Sequence, residues 1–199
     1  MEKLNSISVE KTLRKRGARL FTPLDFQRIF NASASATKNF LSRHLSSQLF
    51  VKVRNGLYAL EDKPPDKFIV ANKLYSPSYI SFETALSFYH IIPETIYTVF
   101  SATPKPSRRF SALDSEYVYH RIRRKFFLGY TARKIDEATV LLAEPEKALA
   151  DYLYFVDLKK KNLNSRLILK GLSKKSLYSY AKILQRKSLI KLLDSLYDK

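Results

Sequence analysis

Two groupings of side chains in this chain of 199 residues have the types and spacing to do chemistry. The first is acidic. Glu144, Glu146 and Asp151 crowd around Pro145, a spacing from which a general acid and base could be drawn. Acids at a proline-started helix also have a structural use, because a first helical turn favours negative charge and offers free N–H groups. No histidine lies nearby in sequence to pair with them, and the structural reading is favoured. His120, between Tyr119 and Arg121 on a strand-like stretch, reads as structural or surface rather than as a base. With no cysteine and with His44, His90 and His120 far apart, no thiolate or compact histidine metal motif is present. The 4 glycines form no phosphate-cradling loop. The expectation is a chain without catalysis and without a cofactor.

The second grouping is cationic. Residues 33–48 place Ala34, Thr37, Leu41, Leu45 and Gln48 at helical spacing, which turns Ser35, Lys38, Asn39, Ser42, Arg43 and Ser46 outward. Short hydroxyls allow close approach to a groove, amide and guanidinium groups read base edges, and lysine holds phosphate. Directly behind, residues 49–60 read as a hairpin: Val51 and Val53 alternate with Lys52 and Arg54, and Asn55-Gly56 suits a type I′ turn. A polar, basic helix followed by a basic hairpin is the layout of a winged helix, and on a chain of formal charge +18 it points to a polyanion, duplex DNA first. A solvated surface or a protein-contact module is the alternative use of the same residues.

The elements that must position this surface can be read upstream. Residues 4–16 form a first helix with Leu4, Ile7 and Leu13 inward, ended by Gly17. Residues 19–21 pair briefly with the hairpin. Thr22-Pro23-Leu24-Asp25 supplies a capping hydroxyl, a proline for the first helical position and an acid three residues after the cap, so a second helix runs to about Phe30 and turns at Asn31-Ala32.

Asp62-Lys63-Pro64-Pro65-Asp66 then breaks the pattern, because consecutive prolines disfavour helix and remove donors. This divides the chain into residues 1–62, a linker at 63–66, and residues 67–199. Beyond the linker, 67–75 and 81–91 read as helices, while 95–102, 117–124 and 138–143 are β-branched and aromatic and read as strands. The fold class expected is α+β, a winged helix-turn-helix followed by a mixed domain ending in helices. Leu177, Tyr180, Ala181 and Leu184, and again Leu189, Leu192, Leu193 and Leu196, mark two amphipathic terminal helices that pack on the core. Residues 158–199 carry 12 Lys/Arg against 2 Asp/Glu, and Lys175, Lys182 and Arg186 fall near one face, a second basic surface for DNA or RNA or simply a solvated one. The run 121–125, with Arg108 and Arg109 upstream, offers the same two readings. No stretch reaches the ~20 apolar residues of a membrane span, and no leader-like apolar segment opens the chain, so a cytoplasmic location is expected.

Three blocks carry a family resemblance. Tyr79-Ile80-Ser81-Phe82-Glu83-Thr84-Ala85-Leu86-Ser87-Phe88-Tyr89 followed by Ile92-Pro93-Glu94, then Phe127-Leu128-Gly129-Tyr130, then Ala143-Glu144-Pro145-Glu146-Lys147-Ala148-Leu149-Ala150-Asp151, resemble the AbiEi-type antitoxins over about residues 22–155. The resemblance implies the antitoxin half of a bacterial type IV toxin-antitoxin pair, linked to abortive infection by phage. It implies a winged helix that binds inverted repeats in its own promoter and represses it; independently of the resemblance, one small reading head gains specificity by engaging two half-sites, so pairing of two copies on the DNA is expected. The resemblance also implies a second domain that counteracts a nucleotidyltransferase-like toxin without needing a stable complex with it. The rival expectation is a protein-interaction module that neutralises its partner without binding an operator.

Overall fold

The structure, a computed structural model, describes residues 4–62, 64–136 and 138–198; of the expected linker, Lys63 lies outside the described residues. The chain is α+β. Its first part runs α1 (Ser6–Lys15), β1 (Leu20–Phe21), α2 (Pro23–Phe30), α3 (Ala34–Ser46), β2 (Phe50–Arg54) and β3 (Leu57–Leu60), with the strands in the order β1-β3-β2. Local chemistry sets the boundaries. Asn5 caps α1 by accepting from Ile7 N at 2.9 Å. Thr22 and Asp25 form a reciprocal capping box at α2, and Asn31 closes that helix in the left-handed region at φ 47°. Ser33 caps α3 by accepting from Ala36 N.

The aromatic centre of this part is Phe21, Phe26, Phe40 and Phe50, joined by Val9, Leu13, Leu41 and Leu60. Two expected helix phases are corrected here. In α1 the buried pair is Val9 and Leu13, and Ile7 is 76% exposed, because capping at Asn5 puts Ile7 in the first turn on the outer side. In α3 the buried residues are Thr37, Phe40 and Leu41, with Leu45 partly buried against the same core as expected; Ala34 is exposed in the first turn, and Gln48 is exposed beyond the helix end with φ 58°. The turn is corrected as well. Gly56 has φ 74°, but Asn55 is not in the positive-φ region, so the turn is not type I′. The β2–β3 ladder instead shifts by one residue between Lys52 and Arg54, a bulge that takes up the mismatch in twist.

The second part contains α4 (Lys67–Leu74), β4 (Tyr79–Ile80), α5 (Phe82–Phe88), β5 (Val99–Thr103), β6 (Arg108–Ala112), β7 (Ser115–Arg121), β8 (Tyr130–Ile135), β9 (Ala138–Ala143), α6 (Pro145–Asp157), α7 (Lys174–Ile183) and α8 (Lys187–Tyr197). The sheet order is β6-β7-β5-β4-β9-β8, with parallel pairing at β4–β9 and β5–β7 and antiparallel pairing elsewhere. Three strands, β4, β6 and β8, are absent from the sequence reading. β4 is two residues long, and β6 and β8 are exposed edges in which Arg108, Arg109, Arg133 and Lys134 blunt further pairing. The two terminal helices pack as expected: Leu177, Ala181, Leu184, Leu189 and Leu193 are buried in the main core.

The two parts share that core. Val53, Leu57 and Ala59 face away from α1–α3 and are buried in one cluster with Val70, Leu74, Tyr117 and Tyr119. The small sheet is therefore covered on both faces. On either side of Lys63 the chain is also tied down: Arg14 pairs with Asp62, Pro65 is buried, and Asp66 caps α4 by accepting from Phe68 N at 2.8 Å.

Candidate nucleic-acid interface

The outward face of α3 forms because Phe40 and Leu41 hold the helix against Phe26 and Phe50, with ring centroids of Phe40 and Phe26 5.5 Å apart. Ser35, Lys38, Asn39, Ser42, Arg43 and Ser46 are all exposed on the opposite side. None of them is held in an ion pair among the described residues. His44, on the inner edge of the same helix, packs with its ring tilted 50° to that of Phe40 at a centroid distance of 4.2 Å and shares a hydrogen bond with the Ser47 hydroxyl at 3.0 Å. Burial, aided by the charge of Arg43, lowers its pKa, so the imidazole favours the neutral form and serves packing.

On the hairpin, Phe50 is buried under α3 while Lys52 and Arg54 on the same strand emerge exposed. The expected division of that hairpin into a packed and a cationic face holds in a modified form. Val51 and Val53 pack on the second part, and the cationic residues continue a face whose root is buried among helices. The Arg54 guanidinium donates to the carbonyl of Asn55 at 3.0 Å, which holds it near the turn. The arrangement presents small hydroxyls, one amide and four free cations from a helix and an adjacent hairpin, chemistry suited to base edges and phosphate oxygens.

The acidic cluster is structural in its contacts. Lys147 and Asp151, one helical turn apart on α6, form a buried ion pair, and the same carboxylate accepts from Tyr79 and Ser81 hydroxyls at 2.9 Å each. Burial and the neighbouring carboxylate push the Tyr79 phenol well above its ordinary range. Glu144 accepts from the Tyr180 hydroxyl at 2.6 Å, and Glu146 accepts from Ser173 N at 2.9 Å. Neither carboxylate caps its own helix by a side-chain bond, contrary to the expectation that these acids satisfy its free N–H groups. The second and third of the family-like blocks also meet here. At Gly129, φ is +72° and a Cβ would lie 2.6 Å from Tyr180 Cε1 and 2.9 Å from Lys147 Cγ, so the close approach requires glycine.

His120 is half-buried among Phe82, Phe100 and Phe155, and burial followed by Lys161 and Lys160 lowers its pKa to about 4. Of the second basic surface, Lys175 and Lys182 are exposed and line one shallow groove with Lys174 and Tyr178. Arg186 is not brought into it: its guanidinium pairs with Asp157. In the run 121–125, Ile122 is buried and its basic neighbours are exposed, with Lys125 donating to Gln185 Oε1 at 2.6 Å. Sequence reasoning missed Lys73 and Lys105, which join Arg54 and Arg108 around a recess between the hairpin and β6; their isolated positions gave no pattern signal.

Among the described residues no group of three or more His, Asp or Glu side chains is placed to hold a metal ion, and no helix is long and apolar enough to cross a membrane. Compared with known proteins, the chain matches no family model and no curated protein.

Proposed function

We propose that this chain is a DNA-binding antitoxin of the AbiEi kind, whose N-terminal part is a winged helix that represses its own promoter and whose second part counteracts a nucleotidyltransferase-like toxin. The observation that carries the reading is the unpaired α3 face, Ser35, Lys38, Asn39, Ser42, Arg43 and Ser46, set beside Lys52 and Arg54 of the hairpin. In this reading α3 serves as the recognition helix and β2–β3 as the wing. One such head contacts few bases, so two copies on an inverted repeat give the specificity a promoter requires.

The antitoxin half rests on the three sequence blocks, whose residues Tyr79, Ser81, Gly129, Lys147 and Asp151 lie around a single buried network. A promoter-reporter assay combined with toxin co-expression tests both halves in the full chain. The variant with alanine at Lys38, Arg43, Lys52 and Arg54 loses repression and keeps toxin rescue. Repression by that variant as strong as by the unaltered chain contradicts the first half; absence of rescue by the unaltered chain contradicts the second.

A further inference from the structure

The recess between the hairpin and β6 has a volume of about 530 Å³ and gathers four cations from four places in the chain. Arg54 comes from the end of β2, Lys73 from the last turn of α4, Lys105 from the β5–β6 connection and Arg108 from β6. Tyr75 and Phe110 form apolar wall, their rings 5.7 Å apart. No carboxylate lines the recess, and none of the four cations is in an ion pair among the described residues.

Three of these cations are nevertheless held in place by neutral partners. Arg54 donates to the Asn55 carbonyl, and Lys105 donates to the Ser76 carbonyl. Lys105 Nζ and Arg108 Cζ lie 5.2 and 5.7 Å from the centroid of the same Tyr75 ring. Repulsion between two such cations is under about 1 kcal/mol in water, so the fold tolerates the cluster. Arg54, Lys105 and Arg108, fixed but not neutralised, are preorganised for an anion, since little side-chain freedom is left to lose on binding, while Lys73, whose charge also acts on Asp25, adds a movable cation. Convergence into one concavity, rather than a row along a surface, matches several negative charges on one small ligand.

We propose that this recess is a binding site for a compact polyphosphate, either inorganic triphosphate or the triphosphate of a nucleotide. Because Arg54 also belongs to the DNA-contacting hairpin, a bound polyphosphate competes with DNA for it; that consequence, unlike the site itself, rests on the DNA-binding reading.

Isothermal titration of the full chain with tripolyphosphate and with ATP, at constant ionic strength near the physiological value and without DNA, tests the site directly. The expected result is saturable 1:1 binding of both, weakened roughly tenfold by Arg108→Ala and again by Lys73→Ala, as charge-assisted contacts are lost. The distal pair Lys187→Ala and Lys191→Ala, exposed on α8, leaves it unchanged. The Arg108 side chain makes no hydrogen bond within the fold and its backbone pairing with β7 survives substitution, so its variant is expected to keep the structure intact, and a thermal melt checks this. Equal affinities for the two ligands assign recognition to the phosphates alone; tighter binding of ATP adds the aromatic wall. Absence of saturable binding, or equal weakening by the distal pair, overturns the site. Gel shifts repeated with tripolyphosphate then read the competition: unchanged DNA affinity at saturating ligand overturns the coupling and leaves the titration result standing.

Discussion

The Tyr79 hydroxyl donates to the Asp151 carboxylate at 2.9 Å, although the two residues lie 72 positions apart. This bond ties the start of the second part's sheet to α6, and Lys147 supplies the charge that makes a buried carboxylate tolerable.

Removing one member of that pair leaves the other buried and uncompensated. Lys147→Met is therefore expected to destabilise the chain by about 3 to 5 kcal/mol, and the double variant Lys147→Met/Asp151→Leu by clearly less, since no charge is stranded. Urea unfolding of the three proteins measures this. A double variant as unstable as the single one would show that packing, and not the ion pair, governs the site.

The shared core predicts coupling between the two parts. Leu57 is 1% exposed, and Leu57→Ala is expected to cost about 2 to 5 kcal/mol. Hydrogen exchange should show faster opening of β5 and β7 as well as of the hairpin, because all three contribute to one cluster. Faster exchange confined to residues 4–62 would show that the two parts open independently. An excised head would likewise expose Val53, Leu57 and Ala59, so function is better divided by surface substitutions than by cutting at Pro64.

His120 gives a pH dependence with a defined sign. The folded imidazole protonates only near pH 4, against about 6.5 when unfolded. The unfolded chain therefore binds the extra proton first. Stability from this residue is complete above pH 6.5, falls as pH drops toward 4 and is then constant. For a half-buried group, partly screened by solvent, the loss is on the order of 2 kcal/mol. His120→Phe, set among Phe82, Phe100 and Phe155, should remove that slope. Unfolding curves at pH 7, 5.5 and 4 decide it, and an unchanged slope in the variant would assign the effect to other groups.

Local signals with their own hydrogen-bonding logic were legible in the sequence. Thr22-Pro23-Leu24-Asp25 starts α2 as its chemistry dictates, Gly17 ends the first helix region, and the leucine spacing of α7 and α8 gives their buried faces. The outward residues of α3 were legible too, although Phe40 was left out of the inward set; an aromatic next to Leu41 widens the apolar stripe without changing the opposite face. What the sequence did not disclose depends on distant partners. Val53 and Ala59 look like an ordinary strand face until α4 and β7 cover them. Lys147 looks like a surface lysine until Asp151, Tyr79 and Ser81 enclose it. Strands β6 and β8, exposed at the sheet edges, lack the buried β-branched runs from which strands are read.

Binding of duplex DNA by α3 and the β2–β3 hairpin is the proposal on which promoter repression depends. Gel-shift titrations of the full chain on its promoter fragment at several salt concentrations test it most directly. Lys52→Ala and Arg54→Ala are each expected to reduce the log–log salt slope by about 0.9, as one phosphate contact is lost. Arg43→Ala is expected to relax sequence preference at about 1 to 3 kcal/mol. Combining all three with Lys38→Ala should abolish specific binding while the melting curve stays that of the unaltered chain. Equal affinity and equal salt slope for the unaltered and the four-alanine proteins would contradict the claim.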